Sequence, residues 1–167
     1  MKNFCEISPN QMEDNPFSLI GKDWLLLTAG TSGNYNTMTV SWAGVGVLWN
    51  KDVCTAYVRP QRHTFGFMER EEYFTLSAYP EEYREALRIC GTKSGREIDK
   101  AAVTGLTPMD VGGATAFEEA RLVILCRKLY AQDLRPECMI DPAVDSNYPQ
   151  KDYHRMYIGE IIRVWKK

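Results

Sequence analysis

The chain has 167 residues, 44% hydrophobic and 25% charged, with a formal net charge of −2 at neutral pH; it can bury a core as one domain, and its charge gives no global pull toward nucleic acid or membrane. Its five cysteines (Cys5, Cys54, Cys90, Cys126, Cys138) are scattered with no C-x-x-C pair, which argues against a disulfide framework and a zinc site and for reduced thiols in a cytoplasmic protein. The start, Met1-Lys2-Asn3-Phe4-Cys5-Glu6, lacks the apolar core of a signal peptide, and no apolar run reaches membrane-spanning length.

No repeat, low-complexity tract or linker divides the chain, so residues 1–167 are expected to form a single domain. Residues 24–29 (Trp-Leu-Leu-Leu-Thr-Ala) predict a strand buried on both faces, followed by a turn over 30–34 (Gly-Thr-Ser-Gly-Asn). Residues 37–42 alternate, with Met38, Val40 and Trp42 on one face and Thr37, Thr39 and Ser41 on the other, the mark of a half-buried strand. After Gly44 and Gly46 the next strand is expected over 53–58. Pro60 stops it, and a short helix starts near Arg62 with Phe65 and Met68 toward the core. Residues 73–78 (Tyr-Phe-Thr-Leu-Ser-Ala) are strand-like.

Pro80 then opens a helix. Tyr83, Ala86, Leu87 and Cys90 recur at helical spacing, Glu81 and Glu82 occupy the first turn, and Gly91 supplies the stop. A second short helix is expected over 96–103, ending at Gly105. A long strand spans 119–130, with Leu122, Ile124 and Cys126 opposite Val123, Leu125 and Leu129. Residues 133–152 carry three prolines and read as an excursion before a final strand over 155–164. Several antiparallel-type strands with one or two inserted helices predict a mainly β protein, a closed barrel with helical insertions.

The segment Arg59-Pro60-Gln61-Arg62-His63-Thr64 is the most informative. Helix N-termini carry partial positive charge and unpaired N–H donors, so acidic residues normally fill the first turn. Here cations cluster instead, which an incoming anion such as phosphate would resolve. The other reading is a solvated basic turn, or ion pairs with Glu69, Glu71 and Glu72. Asn36-Thr37-Met38-Thr39-Val40-Ser41-Trp42 offers a small hydroxyl-bearing face suited to a flat, polar-edged ligand, or simply a face turned to water.

Lys93-Ser94 invites comparison with a phosphate-binding P-loop, but Thr92 precedes the lysine and the first required glycine falls on Leu87. What survives is a Gly-flexed basic loop with Lys93, Ser94, Gly95, Arg96 and Lys100. His154 opens the last strand, a position more often structural than catalytic, and Gly159 marks a bulge or a close approach by another backbone or a ligand. Ser41, Ser77 and Ser94 lack a nucleophile-elbow context, and the two histidines lack metal-site spacing. Chemistry by a bound organic cofactor fits better than side-chain hydrolysis.

Four motifs in order carry a resemblance: Asn36-x-Met38-Thr39-x-Ser41-Trp42; Tyr57-Val58-Arg59-Pro60-x-Arg62-x-Thr64; Cys90-Gly91-x-Lys93-Ser94-Gly95-Arg96-x-x-Asp99-Lys100; and Asp152-Tyr153-His154-x-Met156-Tyr157-x-Gly159-Glu160. Together they resemble the flavin reductase-like, FMN-binding split-barrel family, and within it the flavoredoxin-like branch. The resemblance implies a six-stranded split barrel and a homodimer with FMN near the subunit interface. It also implies an isoalloxazine ring along Asn36 to Trp42 and the phosphate end on Arg59, Gln61, Arg62, His63 and Thr64. Lys93, Ser94, Gly95, Arg96 and Lys100 would close over the flavin, with Lys93 or Lys100 near its N1 and O2 edge. His154 matches the histidine beside the nicotinamide site of related reductases.

One departure stands out: Ala43-Gly44-Val45-Gly46-Val47-Leu48-Trp49 replaces a proline-containing loop found in many relatives. The expected activity is electron transfer from NAD(P)H through FMN to an acceptor. The alternatives are an FMN electron carrier between redox protein partners, and a non-redox binder of another phosphorylated or heme-related ligand such as pyridoxal phosphate.

Overall fold

The computed structural model describes residues 3–31 and 33–167. Met1 and Lys2 of the N-terminal segment, and Ser32 of the expected 30–34 turn, lie outside the described residues. The chain runs β1 (Cys5–Ile7), α1 (Pro16–Gly21), β2 (Leu25–Thr31), β3 (Asn34–Val40), β4 (Ala43–Leu48) and β5 (Lys51–Val58). It continues through α2 (His63–Arg70), β6 (Tyr73–Ala78), α3 (Arg84–Thr92), α4 (Lys100–Thr104), β7 (Pro108–Asp110), β8 (Thr115–Phe117), β9 (Leu122–Asp133) and β10 (Arg155–Lys166).

Among the described residues the main sheet is antiparallel, in the order β3-β2-β6-β9-β10-β5-β4, and β7 and β8 pair separately. β10 carries β9 along one side. On its other side β5 pairs with Arg155 to Glu160, and β1 with Val164 to Lys166. The six strands expected from the sequence are β2, β3, β5, β6, β9 and β10, a contiguous run of this order. β1, β4 and the β7–β8 pair were not foreseen.

Strands β3 and β4 are the two ends of the sheet, yet only Ser41 and Trp42 separate them in the chain. Three Cα–Cα steps span at most about 11 Å, so the sheet must curl until its edges nearly meet. They are not hydrogen-bonded to each other: the barrel that the strand pattern alone predicts as closed is split there, and Ser41-Trp42 bridges the split. Its interior is one apolar core that gathers Leu25 and Leu27 of β2, Met38 and Val40 of β3, Cys54 and Ala56 of β5, Phe74 and Leu76 of β6, Leu122 and Ile124 of β9 and Tyr157 of β10, with Phe67 and Met68 of α2. Each fully buried side chain of Leu or Phe size contributes roughly 1.5–3 kcal/mol. The opposite face of β2 and β9 (Leu26, Val123, Leu125) is covered by Leu87 and Cys90 of α3, Ala101 of α4 and Phe117 of β8.

Several boundaries differ from expectation for physical reasons. β2 starts at Leu25, not Trp24, because Trp24 has a left-handed φ of 64°. β3 ends at Val40, so Trp42 is 45% exposed and does not share the buried face of Met38 and Val40. Residues 43–48 form a strand that pairs with β5 through a Trp49-Asn50 turn, both residues at positive φ (54° and 56°), as a type I′ hairpin requires. Phe65 and Met68 both face the core, Phe65 partly buried against it, and Phe67 joins Met68 among the buried residues of α2. α3 runs through Gly91 to Thr92, and the second short helix is only Lys100–Thr104, closed by left-handed Gly105. The excursion holds two short 3₁₀ turns, Pro136–Cys138 and Pro142–Asn147. At Gly159 β10 carries the expected bulge; the close approach comes from a side chain and not from backbone or a ligand, since an added Cβ would lie 2.7 Å from the Phe74 ring.

No helix among the described residues is long and apolar enough to cross a membrane.

Candidate functional site

β3 is an edge strand, and its outer edge organises the site. Lys100 donates from Nζ to the Thr37 carbonyl at 2.7 Å. The N–H and C=O of one antiparallel strand residue point to the same side, so Tyr35, Thr37 and Thr39 turn their backbone groups away from β2. Three cavities lie along this edge.

The first, about 170 Å³, is lined by Asn36, Gln61, Arg62, His63, Thr64, Thr92, Lys93, Ser94, Gly95 and Lys100. α2 begins here with Arg62 at the N-cap, no side-chain cap and no acidic residue in its first turn. Thr64 is buried, and its hydroxyl accepts from Asn36 Nδ2 at 2.7 Å. Lys100, 6% exposed, also donates to the Cys90 carbonyl at 2.8 Å, pinning the β3 edge to the end of α3. Burial pulls its pKa down to about 8, and Arg62 nearby pushes the same way. His63 is likewise lowered, by burial and then by Arg96, Lys100 and Arg70. Among the described residues, Arg62, His63, Lys93, Arg96 and Lys100 make no ion pair with a carboxylate. The pocket concentrates cationic and N–H donors.

A second cavity of about 460 Å³ shares Asn36, Gly95 and Lys100 with the first and extends past Tyr35, Thr37 and Arg96 to Ala101. Gly95 is packed on Asn36 so closely that a Cβ would overlap the Asn36 side chain. Ser94 Oγ accepts from the Arg96 backbone at 3.2 Å, and Arg96 Nη1 donates to the Gln61 carbonyl at 3.3 Å.

The third cavity, about 220 Å³, lies at the far end of β3 and is lined by Met38, Thr39, Val40, Ser41, Trp42, Tyr57, Arg59 and His154. The side chains of Met38 and Val40 belong to the barrel core. The Trp42 and His154 rings lie 5.1 Å apart. Burial lowers the His154 pKa to about 4, with Arg59 acting in the same direction, so its imidazole is neutral at physiological pH.

The two guanidinium groups of the 59–64 segment do not converge. Arg62 donates from Nη1 to the Gly91 carbonyl at 2.7 Å. Arg59 turns to the excursion, pairing with Asp152 at 2.7 Å and donating to the Asn147 carbonyl at 2.9 Å. Gln61 is exposed and donates to the same Asp152 carboxylate. The backbone start of α2, Thr64, His63 and the 93–100 loop do come together. Glu97 and Asp99 line the large cavity and Tyr148 backs the far one, and none was singled out from sequence. Asp99 did stand in a matched motif; Tyr148 sits in the excursion with no local signal.

The sequence matches the family described as flavin reductase like domain over residues 17–167. No curated protein matches it significantly. The structure is similar to an FMN-binding domain of a flavin reductases-like enzyme from Shewanella baltica OS155 (15% identity, 98% of this chain and 77% of that one covered, TM-score 0.71). It is similar to flavoredoxin of Desulfovibrio vulgaris (Miyazaki F) (20% identity, 98% and 77% covered, TM-score 0.67). It is also similar to an NADH:FAD oxidoreductase from Streptomyces globisporus C-1027 (14% identity, 87% and 75% covered, TM-score 0.67). At these identities the likeness is one of fold.

Proposed function

Since the chain belongs to the flavin reductase like domain family, we propose that it is an FMN-dependent oxidoreductase that takes electrons from NAD(P)H and passes them to an acceptor. The observation that carries the reading is the start of α2: a helix N-terminus with no acidic residue and no side-chain cap, ringed by His63, Lys93, Arg96 and Lys100, at one end of a groove along β3. A phosphate relieves that crowding and accepts from the free helix N–H groups. Two or three charge-assisted hydrogen bonds, each worth roughly 1.5–3 kcal/mol, anchor such a ligand at micromolar affinity or better.

FMN, when bound, supplies hydride acceptance and electron delivery. The protein binds and orients. The first turn of α2, Lys93, Ser94 and Arg96 hold the phosphate end. The outward backbone groups of Thr37 and Thr39 would be available to the polar edge of the ring, and Lys100 would set the local positive potential. Trp42 and His154 line the far cavity, where Trp42 would offer an aromatic wall and His154 would meet the donor.

The reading includes a homodimer. Val45, Val47 and Trp49 lie at i, i+2 and i+4, exposed by 37%, 74% and 55%, and Trp49 meets Tyr130 with ring centroids 6.2 Å apart. That apolar surface, two valines of an end strand with the tryptophan of its turn, suits a second copy of the chain.

The test is an absorption spectrum of the purified protein and a fluorescence-quenching titration with FMN, followed by anaerobic mixing with NADH and NADPH. Colourless protein that does not quench FMN refutes the proposal. Flavin that binds but is not reduced by either nucleotide leaves an electron carrier in its place.

A further inference from the structure

The hydroxyl of Tyr148 lies 2.9 Å from Nδ1 of His154, and both residues are buried (2% and 8% exposed). Tyr148 belongs to the excursion between β9 and β10, which is tied down around it. Arg59 pairs with Asp152 and stacks 4.9 Å from the Tyr148 ring centroid, and the Tyr153 hydroxyl donates to Asp145 at 2.8 Å. Tyr148 is therefore held, not merely near.

Burial raises the Tyr148 pKa, so its hydroxyl keeps its proton, and a buried O–H needs an acceptor. Among the described residues, Nδ1 of His154 is the acceptor in reach. A neutral imidazole that accepts at Nδ1 carries its proton on Nε2. Nε2 has no protein partner among the described residues, yet it is not a sealed orphan, and His154 lines the cavity beside Trp42.

We propose that Tyr148 is a positioning residue that locks His154 in the Nε2–H tautomer, making the Trp42 cavity a hydrogen-bond donor site for an uncharged carbonyl oxygen on a planar ligand. If the NAD(P)H reading above holds, that oxygen is the carboxamide of the nicotinamide; the tautomer itself does not depend on that reading. The titratable groups facing the ring are Arg59 and Tyr57 from the end of β5, and Tyr148 and Asp152 from the excursion; Trp42 closes the remaining side. Arg59 disfavours the imidazolium and Asp152 favours it, and burial decides for the neutral ring. The Tyr148 hydroxyl adds to this, because a donor to Nδ1 stabilises only the neutral form.

The chain has two histidines, so long-range ¹H–¹⁵N correlation of the ¹⁵N-labelled protein resolves each imidazole, and a His63→Gln variant assigns them. The expected result is His154 with an unprotonated Nδ1 and protonated Nε2 at every pH from 5.5 to 8. Tyr148→Phe, which keeps the ring and its burial, is expected to mix the tautomers while the imidazole stays neutral. A proton on Nδ1 in the unaltered protein overturns the lock whether or not the variant folds, and so does a Tyr148→Phe spectrum unchanged from it. Kinetics test the donor role separately: Tyr148→Phe should raise KM for NAD(P)H several-fold while changing kcat less than twofold. A shifted tautomer with unchanged KM overturns the carbonyl role alone. Failure to bind FMN at all would remove the proposed function and leave the tautomer result standing.

Discussion

Arg62, the N-cap of α2, donates from Nη1 to the carbonyl of Gly91 in the last turn of α3, at 2.7 Å. A cation at a helix C-terminus is well placed against the partial negative charge there. The residue thus ties the start of one helix to the end of another and holds the 91–100 loop over the anion pocket.

Replacing Arg62 with Ala removes a hydrogen bond from a charged group, worth roughly 1.5–3 kcal/mol. Urea unfolding should show a loss of that order, and FMN affinity should fall as the loop loosens. The reduction rate at saturating FMN should stay close to that of the unaltered protein. An unchanged urea midpoint would contradict the bridging role.

Arg59→Ala is expected to behave differently. Its partners are Asp152, the Asn147 carbonyl and the Tyr148 ring, so its loss frees the excursion. Limited proteolysis should cut faster within residues 134–152, and KM for NAD(P)H should rise more than the FMN dissociation constant. A selective loss of FMN binding would instead put Arg59 at the phosphate.

Lys100 gives two opposed pH dependences. Burial lowers its folded pKa from 10.5 to about 8, so between those values the unfolded chain holds more protons and this group's contribution to stability rises with pH. Anion binding runs the other way, because phosphate favours the charged ammonium. FMN affinity should fall as pH rises through 8, by up to roughly tenfold per unit. Calorimetric titrations at pH 7, 8 and 9 should show this slope, and Lys100→Met should flatten it; a flat profile in the unaltered protein would remove Lys100 from the anion site.

Gly159→Ala tests the barrel core alone. The new Cβ would meet the Phe74 ring at 2.7 Å and Cys126 Cβ at 2.9 Å, in an interior with no room to yield. Overpacking of this kind costs about 1–3 kcal/mol. Thermal unfolding should register it, while the folded fraction binds FMN as before.

The strands legible in the sequence were those whose residues announce burial. β2 and β9 open on apolar runs, β6 alternates Phe74 and Leu76 with Thr75 and Ser77, and β10 shows its bulge through Gly159. β4 was not legible because Ala43-Gly44-Val45-Gly46 has no polar alternation and its glycines read as loop, whereas pairing with β5 is what makes it a strand. The start of α2 was legible because cations at a helix N-terminus are a local anomaly. Where Arg62 and Arg59 point was not, since their partners at Gly91 and Asp152 are set by tertiary packing and the side chains are long enough to reach either way. Tyr148 was invisible for the same reason: only the folded excursion brings it to His154.

The place of β10 between β5 and β9 has a consequence in time. The β4–β5 hairpin is complete at Val58, but the strand that covers its other edge begins only at Arg155. On a ribosome, the hairpin must wait through the synthesis of everything between with Val53, Cys54 and Val58 uncovered, and those three end up almost fully buried. Pairings this distant form slowly and leave sticky edges open meanwhile. The nascent chain is therefore most vulnerable to misassociation between the synthesis of β5 and that of β10.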